Sequence, residues 1–236
     1  TEIKCKSVAG VGSGHTIRLL LEQEGPGSTK YESLSSEGTV SYAPASVTSI
    51  VSINSLGTPV GKIRTKGGDS LRLTGTNFGP KSHTLAHCDG TAVTIGSNAV
   101  SAPLPLPPFV RYGPLSSPGK YEATLCQVTL DHTEIVCGQT PEGVGAGMRV
   151  RVDVGYLDHT VTGGATDAAT VDYRAPTVSS VRGTGALNSN TEGGDVLEIE
   201  GTGFGPVGHA TSVRVLYSQD PTTSLIYGRP PLPTFY

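Results

Sequence analysis

The chain repeats itself, and the repeat fixes what it can fold into. Residues 67–80 read GGDSLRLTGTNFGP and residues 193–206 read GGDVLEIEGTGFGP, an offset of 126. The same offset carries His83 onto His209. It also carries Pro105-Leu106-Pro107-Pro108-Phe109 onto Pro231-Leu232-Pro233-Thr234-Phe235. A second match sets TEIKCKSVAGVGSG, from Thr1, against TEIVCGQTPEGVGAG, from Thr133. It runs on through HTIRLLLEQ against MRVRVDVGY and ends near Tyr42-Ala43-Pro44 against Tyr173-Arg174-Ala175-Pro176. The two matches tile one module of about 130 residues. Residues 44–175 make a complete copy, 1–43 the C-terminal part of a preceding copy, and 176–236 the N-terminal part of a following one. Put together, the outer parts make one module without the counterparts of residues 111–132. No signal peptide is visible and residue 1 is Thr, so a mature secreted product or a piece of a longer protein is expected.

Each module reads as β-structure. In SLRLTG, Leu71 and Leu73 alternate with Arg72 and Thr74; in VLEIEG, Leu197 and Ile199 alternate with Glu198 and Glu200. Period two marks a strand with one buried and one wet face. MRVRVDVG sets Val150, Val152 and Val154 against Arg149, Arg151 and Asp153, and EATLCQVTL and TEIVC read as further strands. IRLLLEQE comes nearest to a helical period, but its match to RVRVDVG makes it a strand. Turn signals at Gly67-Gly68, Asp89-Gly90 and Gly163-Gly164 punctuate the strands. Thirty-two glycines and 17 prolines suit many short strands joined by turns and argue against a helical bundle. An antiparallel sandwich is expected. In GTNFG and GTGFG the glycines allow positive φ, so that Phe78 and Phe204 fold back over the core at the strand end.

These residues resemble the IPT/TIG family, an immunoglobulin-like domain of plexins, growth-factor receptors and many secreted repeat proteins. The resemblance lies in a Pro-led first strand, then Gly-Gly-x-x-hydrophobic-x-hydrophobic-x-Gly-x-x-Phe-Gly, met twice here by Gly67, Gly68 and Phe78 and by Gly193, Gly194 and Phe204. A later hydrophobic-x-Cys-x-x-Pro element is similar to IVCGQTPEG at 135–143. The Pro-rich stretch at 101–119 and the incomplete end copies depart from the pattern. The resemblance implies tandem immunoglobulin-like sandwiches. It also implies that Cys126 pairs with Cys137 on a neighbouring strand, in an oxidising compartment. Four buried free thiols in a cytosolic protein are the plainer alternative. Cys5 is the repeat equivalent of Cys137 and is left to be free, to pair with Cys88, or to pair with another chain.

Other constellations are weaker. His83, His87, Cys88 and Asp89 lie close together, but on a strand Cys88 would face away from the two histidines, so a surface loop is expected rather than a metal site. Asp153, Asp158, Asp167 and Asp172 lack the oxygen density of a calcium loop and read as solvated positions. No nucleophile elbow occurs, and neither an enzyme nor a cofactor is expected. A net charge of −3 with scattered basic residues gives no nucleic-acid footprint, and no apolar run is long enough to span a membrane. No Asn lies in an N-glycosylation sequon. The Pro-rich runs, with Pro103, Pro105, Pro107 and Pro108 in one and Pro230, Pro231 and Pro233 in the other, are expected as extended surface segments. They are candidates for proline hydroxylation and O-glycosylation, or else stiff loops packed on their own module.

The function expected is that of an extracellular structural repeat. Neither partial module can bury its apolar faces alone: Leu197, Ile199 and Phe204 at one end need a second sheet, and Ile17, Leu19 and Leu21 at the other are candidate donors. Either the neighbours are covalent, in a longer tandem, or one subunit is completed by the next, head to tail; both are expected to give a filament, the second with the chain itself as its partner. The rival is an ectodomain spacer or ligand-binding module of a receptor or adhesin.

Overall fold

The computed structural model of the chain describes residues 2–22, 30–34, 36, 39–81, 107–155, 169–207 and 213–217. Among the described residues every regular element is a strand. In chain order these are β1 (His15–Thr16), β2 (Leu20–Glu22), β3 (Lys30–Glu32), β4 (Thr39–Val40), β5 (Ser46–Ile53), β6 (Pro59–Gly61) and β7 (Ser70–Thr76). Then follow β8 (Phe109–Gly113), β9 (Tyr121–Leu130), β10 (Glu134–Gln139), β11 (Met148–Asp153), β12 (Thr170–Val171), β13 (Thr177–Arg182) and β14 (Glu198–Thr202). The fold is all-β, as the alternation of Leu71 and Leu73 with Arg72 and Thr74 requires.

Strands β5 to β12 form one antiparallel sheet in the order β12-β11-β8-β9-β10-β7-β5-β6. It curls because β9 serves two layers. Residues 121–123 pair with β8, whereas residues 124–130 pair with β10. Just past the change of partner, between Thr124 and Cys126, Leu125 has a φ of 56° and an exposed side chain. That left-handed conformation is costly for a leucine, and it turns the corner as bulged strands do when they change sheets. The curl closes on its far side. Ile63 bridges Tyr173 in parallel: the Ile63 N–H donates to the Asp172 carbonyl at 2.9 Å and the Arg174 N–H to the Ile63 carbonyl at 2.7 Å.

The core lies inside this curl. Leu71 and Leu73 from β7, Val110 from β8, Ile135 from β10, and Val150 and Val152 from β11 are buried in one cluster, with Phe78 at its end. Their polar alternates Arg72, Thr74, Arg149, Arg151 and Asp153 stay partly exposed, so period two reports burial faithfully in both strands. Cys126 stands directly opposite Cys137 across β9 and β10, and the two form a disulfide. Cys5 is disulfide-bonded too, which removes the free-thiol alternative; Cys88 lies outside the described residues.

The outer parts reproduce the complete copy locally. β13 pairs β14 as β5 pairs β7: Thr177 faces Thr202 where Ser46 faces Thr76, and the register shifts at the same place, around Ser179 and Thr48. Even the hydroxyls correspond, Thr48 Oγ1 donating to the Thr74 carbonyl and Ser179 Oγ to the Glu200 carbonyl. At the other end β1 pairs β4 as β11 pairs β12, His15 facing Val40 where Met148 faces Val171. The IRLLLEQE strand is interrupted, which corrects the expectation of a continuous one. Ile17 and Leu19 fall between β1 and β2, where their amides donate to Ser36 Oγ and Ser33 Oγ instead of to a backbone ladder.

Candidate functional site

The site the molecule offers is two sets of apolar residues near the chain's two ends, and the complete copy shows where the same positions lie when covered. Leu71 and Phe78 are 0% and 1% exposed, whereas their equivalents Leu197 and Phe204 are 39% and 38% exposed. Val150 is 3% exposed and its equivalent Ile17 50%. Leu19 and Leu21 are exposed where Val152 and Val154 are buried, and Ile199 is half-buried where Leu73 is buried. Ile3, equivalent to the buried Ile135, is also exposed and lies in no strand. In the complete module the front residues (Leu71, Leu73, Phe78) and the back residues (Val150, Val152, Val154) share one cluster. Positions that are buried in the middle of the chain are thus more exposed in their equivalents toward both ends.

Backbone geometry keeps these faces in register. Phe78 and Phe204 lie over Gly75 and Gly201, where a β-carbon would come within 2.6 Å of either ring. The Gly-Gly turn is held by an aspartate that follows it. The Asp69 carboxylate accepts from the Arg64 amide and from Arg64 Nε, both at 2.6 Å, and Asp195 accepts from the Asn190 amide at the same distance. Asp69 is buried; its amide donates to Thr140 Oγ1 at 3.1 Å and its carbonyl accepts from the Thr140 amide at 2.8 Å, fixing the turn to the end of β10. Sequence reasoning did not single out Asp69 or Asp195; the signal was there, since Gly-Gly-Asp occurs in both copies.

At the same end of the sandwich as the Gly-Gly turn, three tyrosines hold the loop after β10. Tyr173 OH donates to the Pro141 carbonyl at 2.8 Å, so it accepts from Tyr112 OH at 3.1 Å. Tyr121 OH donates to the Val144 carbonyl at 3.0 Å and accepts from the Val144 amide at 3.2 Å. Burial pushes the Tyr112 phenol up to about 12, and burial raises Tyr173 as well. Both stay neutral donors at physiological pH. Tyr42 repeats the arrangement in the preceding copy, donating from its OH to the Val8 carbonyl at 2.8 Å.

The remaining candidates scatter. Asp153 pairs with Arg111 and Arg151, and Asp172 with Lys62. Among the described residues no group of three or more His, Cys, Asp or Glu side chains is placed to hold a metal ion. His83, His87, Asp89, Asp158 and Asp167 lie outside the described residues. Pro107 is exposed and Pro108 buried; Pro103, Pro105, Pro230, Pro231 and Pro233 lie outside the described residues. Among the described residues no helix is long and apolar enough to cross a membrane. No protein-family model matches the chain, and no curated protein or solved structure matches it significantly.

Proposed function

We propose that the chain is an extracellular structural repeat of IPT/TIG-like sandwiches, whose partial modules are completed head to tail by the complementary part of another copy, building a fibre or cell-surface filament. One observation carries this reading: Leu197 and Phe204 of the front part and Ile17, Leu19 and Leu21 of the back part are exposed, and Ile199 is half-buried, while the same positions are buried in one cluster in the complete module. The cover each face calls for is thus the other face. Strand order supports the immunoglobulin-like assignment. β5-β7-β10-β9 and β8-β11-β12 follow the A-B-E-D and C-F-G order of constant-type immunoglobulin sandwiches. A structural disulfide between β9 and β10 fits an oxidising, extracellular setting. Exposed Pro107 keeps one position of the Pro-rich run accessible to hydroxylation and O-glycosylation.

A joint completed in this way lacks the counterparts of most of β8 and all of β9, so its sandwich is thinner than the complete one. The second reading is an ectodomain spacer of a receptor or adhesin. It is favoured by the end-to-end packing of the three parts within one chain, which needs no contact between chains. Sedimentation of residues 1–236 over a concentration series separates the two. Filament formation predicts a weight-average mass that climbs with concentration and falls back when Ile199→Asp and Phe204→Asp are introduced together. A concentration-independent monomer would sink the filament and leave the spacer.

A further inference from the structure

The repeat has two internal boundaries, and both are built alike. Val11 is the middle residue of Gly10-Val11-Gly12, and Val144 is the middle residue of the equivalent Gly143-Val144-Gly145. Gly79 and Gly205 close the two equivalent Phe turns, GTNFG and GTGFG. A β-carbon on Gly79 would run into Cγ1 of Val11, and one on Gly205 would lie 2.8 Å from Cγ1 of Val144. At each boundary, then, the valine of one module sits on the Phe-turn glycine of the next.

The surroundings repeat as well. Each valine loop is bonded by the tyrosine that ends its own module: the Tyr42 amide donates to the Gly12 carbonyl at 2.9 Å and the Tyr173 amide to the Gly145 carbonyl at 2.8 Å. A side chain donates to each valine carbonyl, His15 Nε2 at 2.9 Å for Val11 and Tyr121 OH at 3.0 Å for Val144. The linkers lie on the same turns. Asn77 Nδ2 donates to the Pro44 carbonyl at 2.9 Å, and Gly203 approaches Ala175 and Pro176 at the position equivalent to Asn77. A tether that left the modules free to swivel would not place the same pair of residues in van der Waals contact twice.

We infer that Val11 and Val144 are the docking residues of a repeated joint, which sets one orientation between successive modules, and that the partner this surface fits is the Phe-turn end of a further copy of the module. The inference rests on reading the chain as a tandem of modules, but not on assembly between chains. One operation applied at every boundary generates a helical rod. Glycine is required on the receiving side for want of space, and the valine supplies apolar contact that an aspartate would replace with an unpaired charge.

Residual dipolar couplings of dilute residues 1–236 test it. In the wild-type chain one alignment tensor is expected to fit the amides of β5 to β12 and of β13 and β14 together. Val144→Asp is expected to abolish the shared tensor while leaving the amide spectrum of residues 44–174 dispersed. Should Val144→Asp disturb the module itself, Val11→Asp, outside the complete module, is expected to release β1 and β4 in the same way. Separate tensors already in the wild type, or a shared tensor surviving in the folded variant, would overturn the joint. These outcomes are read on the monomer, so a chain that never polymerises refutes the filament and leaves the joint standing.

Discussion

Phe78 and Phe204 hold one position in two copies, and their different surroundings decide what each ring is worth. Phe78 is 1% exposed and closes the end of the core, so Phe78→Ala is expected to destabilise the main unfolding transition by about 3–5 kcal/mol. Phe204 makes the same turn over the same glycine but is 38% exposed on an uncovered face. Phe204→Ala is expected to leave that transition within about 0.5 kcal/mol of wild type. Urea unfolding of the two variants, followed by far-UV circular dichroism, checks the contrast. Equal effects would mean that residues 176–236 contribute to the central core after all.

At the level of elements, the turn around Asp172 joins β12 to the loop before β11 and carries a pH dependence. The Gly147 amide donates to its carboxylate at 2.7 Å, and that bond, helped by Lys62 and opposed by burial, holds the carboxyl below its ordinary value of 3.8. The folded state therefore binds this proton less readily than the unfolded chain. The stabilisation is fully present above 3.8 and is lost as pH falls through the depressed folded value. Asp172→Asn is expected to flatten the acid side of the stability profile, measured as urea midpoints from about pH 5 to about pH 2. Ser41, the equivalent residue, receives the Gly14 amide with a neutral hydroxyl, so the preceding copy has no such dependence. Much of the element pattern was legible in the sequence. Val150, Val152 and Val154 alternate with charged residues because one face of β11 is wet, and the Gly-Gly and Phe-Gly signatures fall on turns that need positive φ. The corner at Leu125 was not legible: in EATLCQVTL a leucine looks like any strand residue, and its conformation is imposed by the two partners of β9. Nor was the interruption after β1, where serine hydroxyls from a distant segment receive the amides of Ile17 and Leu19. β8 was hidden behind the Pro-rich run that precedes it. The exposed faces were legible only through the repeat, which says which residues a buried copy would hide.

Over the whole molecule, stability is divided unequally. The central sheet has eight strands and a closed core, whereas β1 with β4 and β13 with β14 are two-stranded, and such pairs are marginal in water. In dilute solution the amides of β7, β10 and β11 are expected to exchange only by global opening, and those of β13 and β14 by local opening many-fold faster. Hydrogen exchange read by mass spectrometry, repeated at high concentration, adds a second measure of completion: β13 and β14 gain protection if a second copy covers them. Uniform protection at low concentration would contradict this division.

The parallel bridge between Ile63 and Tyr173 bears on how the molecule carries load. β5 enters the module beside the Phe78 turn, since Ser46 faces Thr76, and the chain leaves at Tyr173 beside the loop after β10. Entry and exit are thus at opposite ends of the sandwich, and tension between neighbouring modules runs along the strands. Pulling on Arg174 drags its strand lengthwise past Ile63, so the bonds to Asp172 and Arg174 meet the force side by side with the β11–β12 ladder instead of one after another. A strand held in shear does not peel. Its rupture is governed by the unfolding rate under force, not by equilibrium stability, and the module resists stretching through the pair of residues that shuts its sheet.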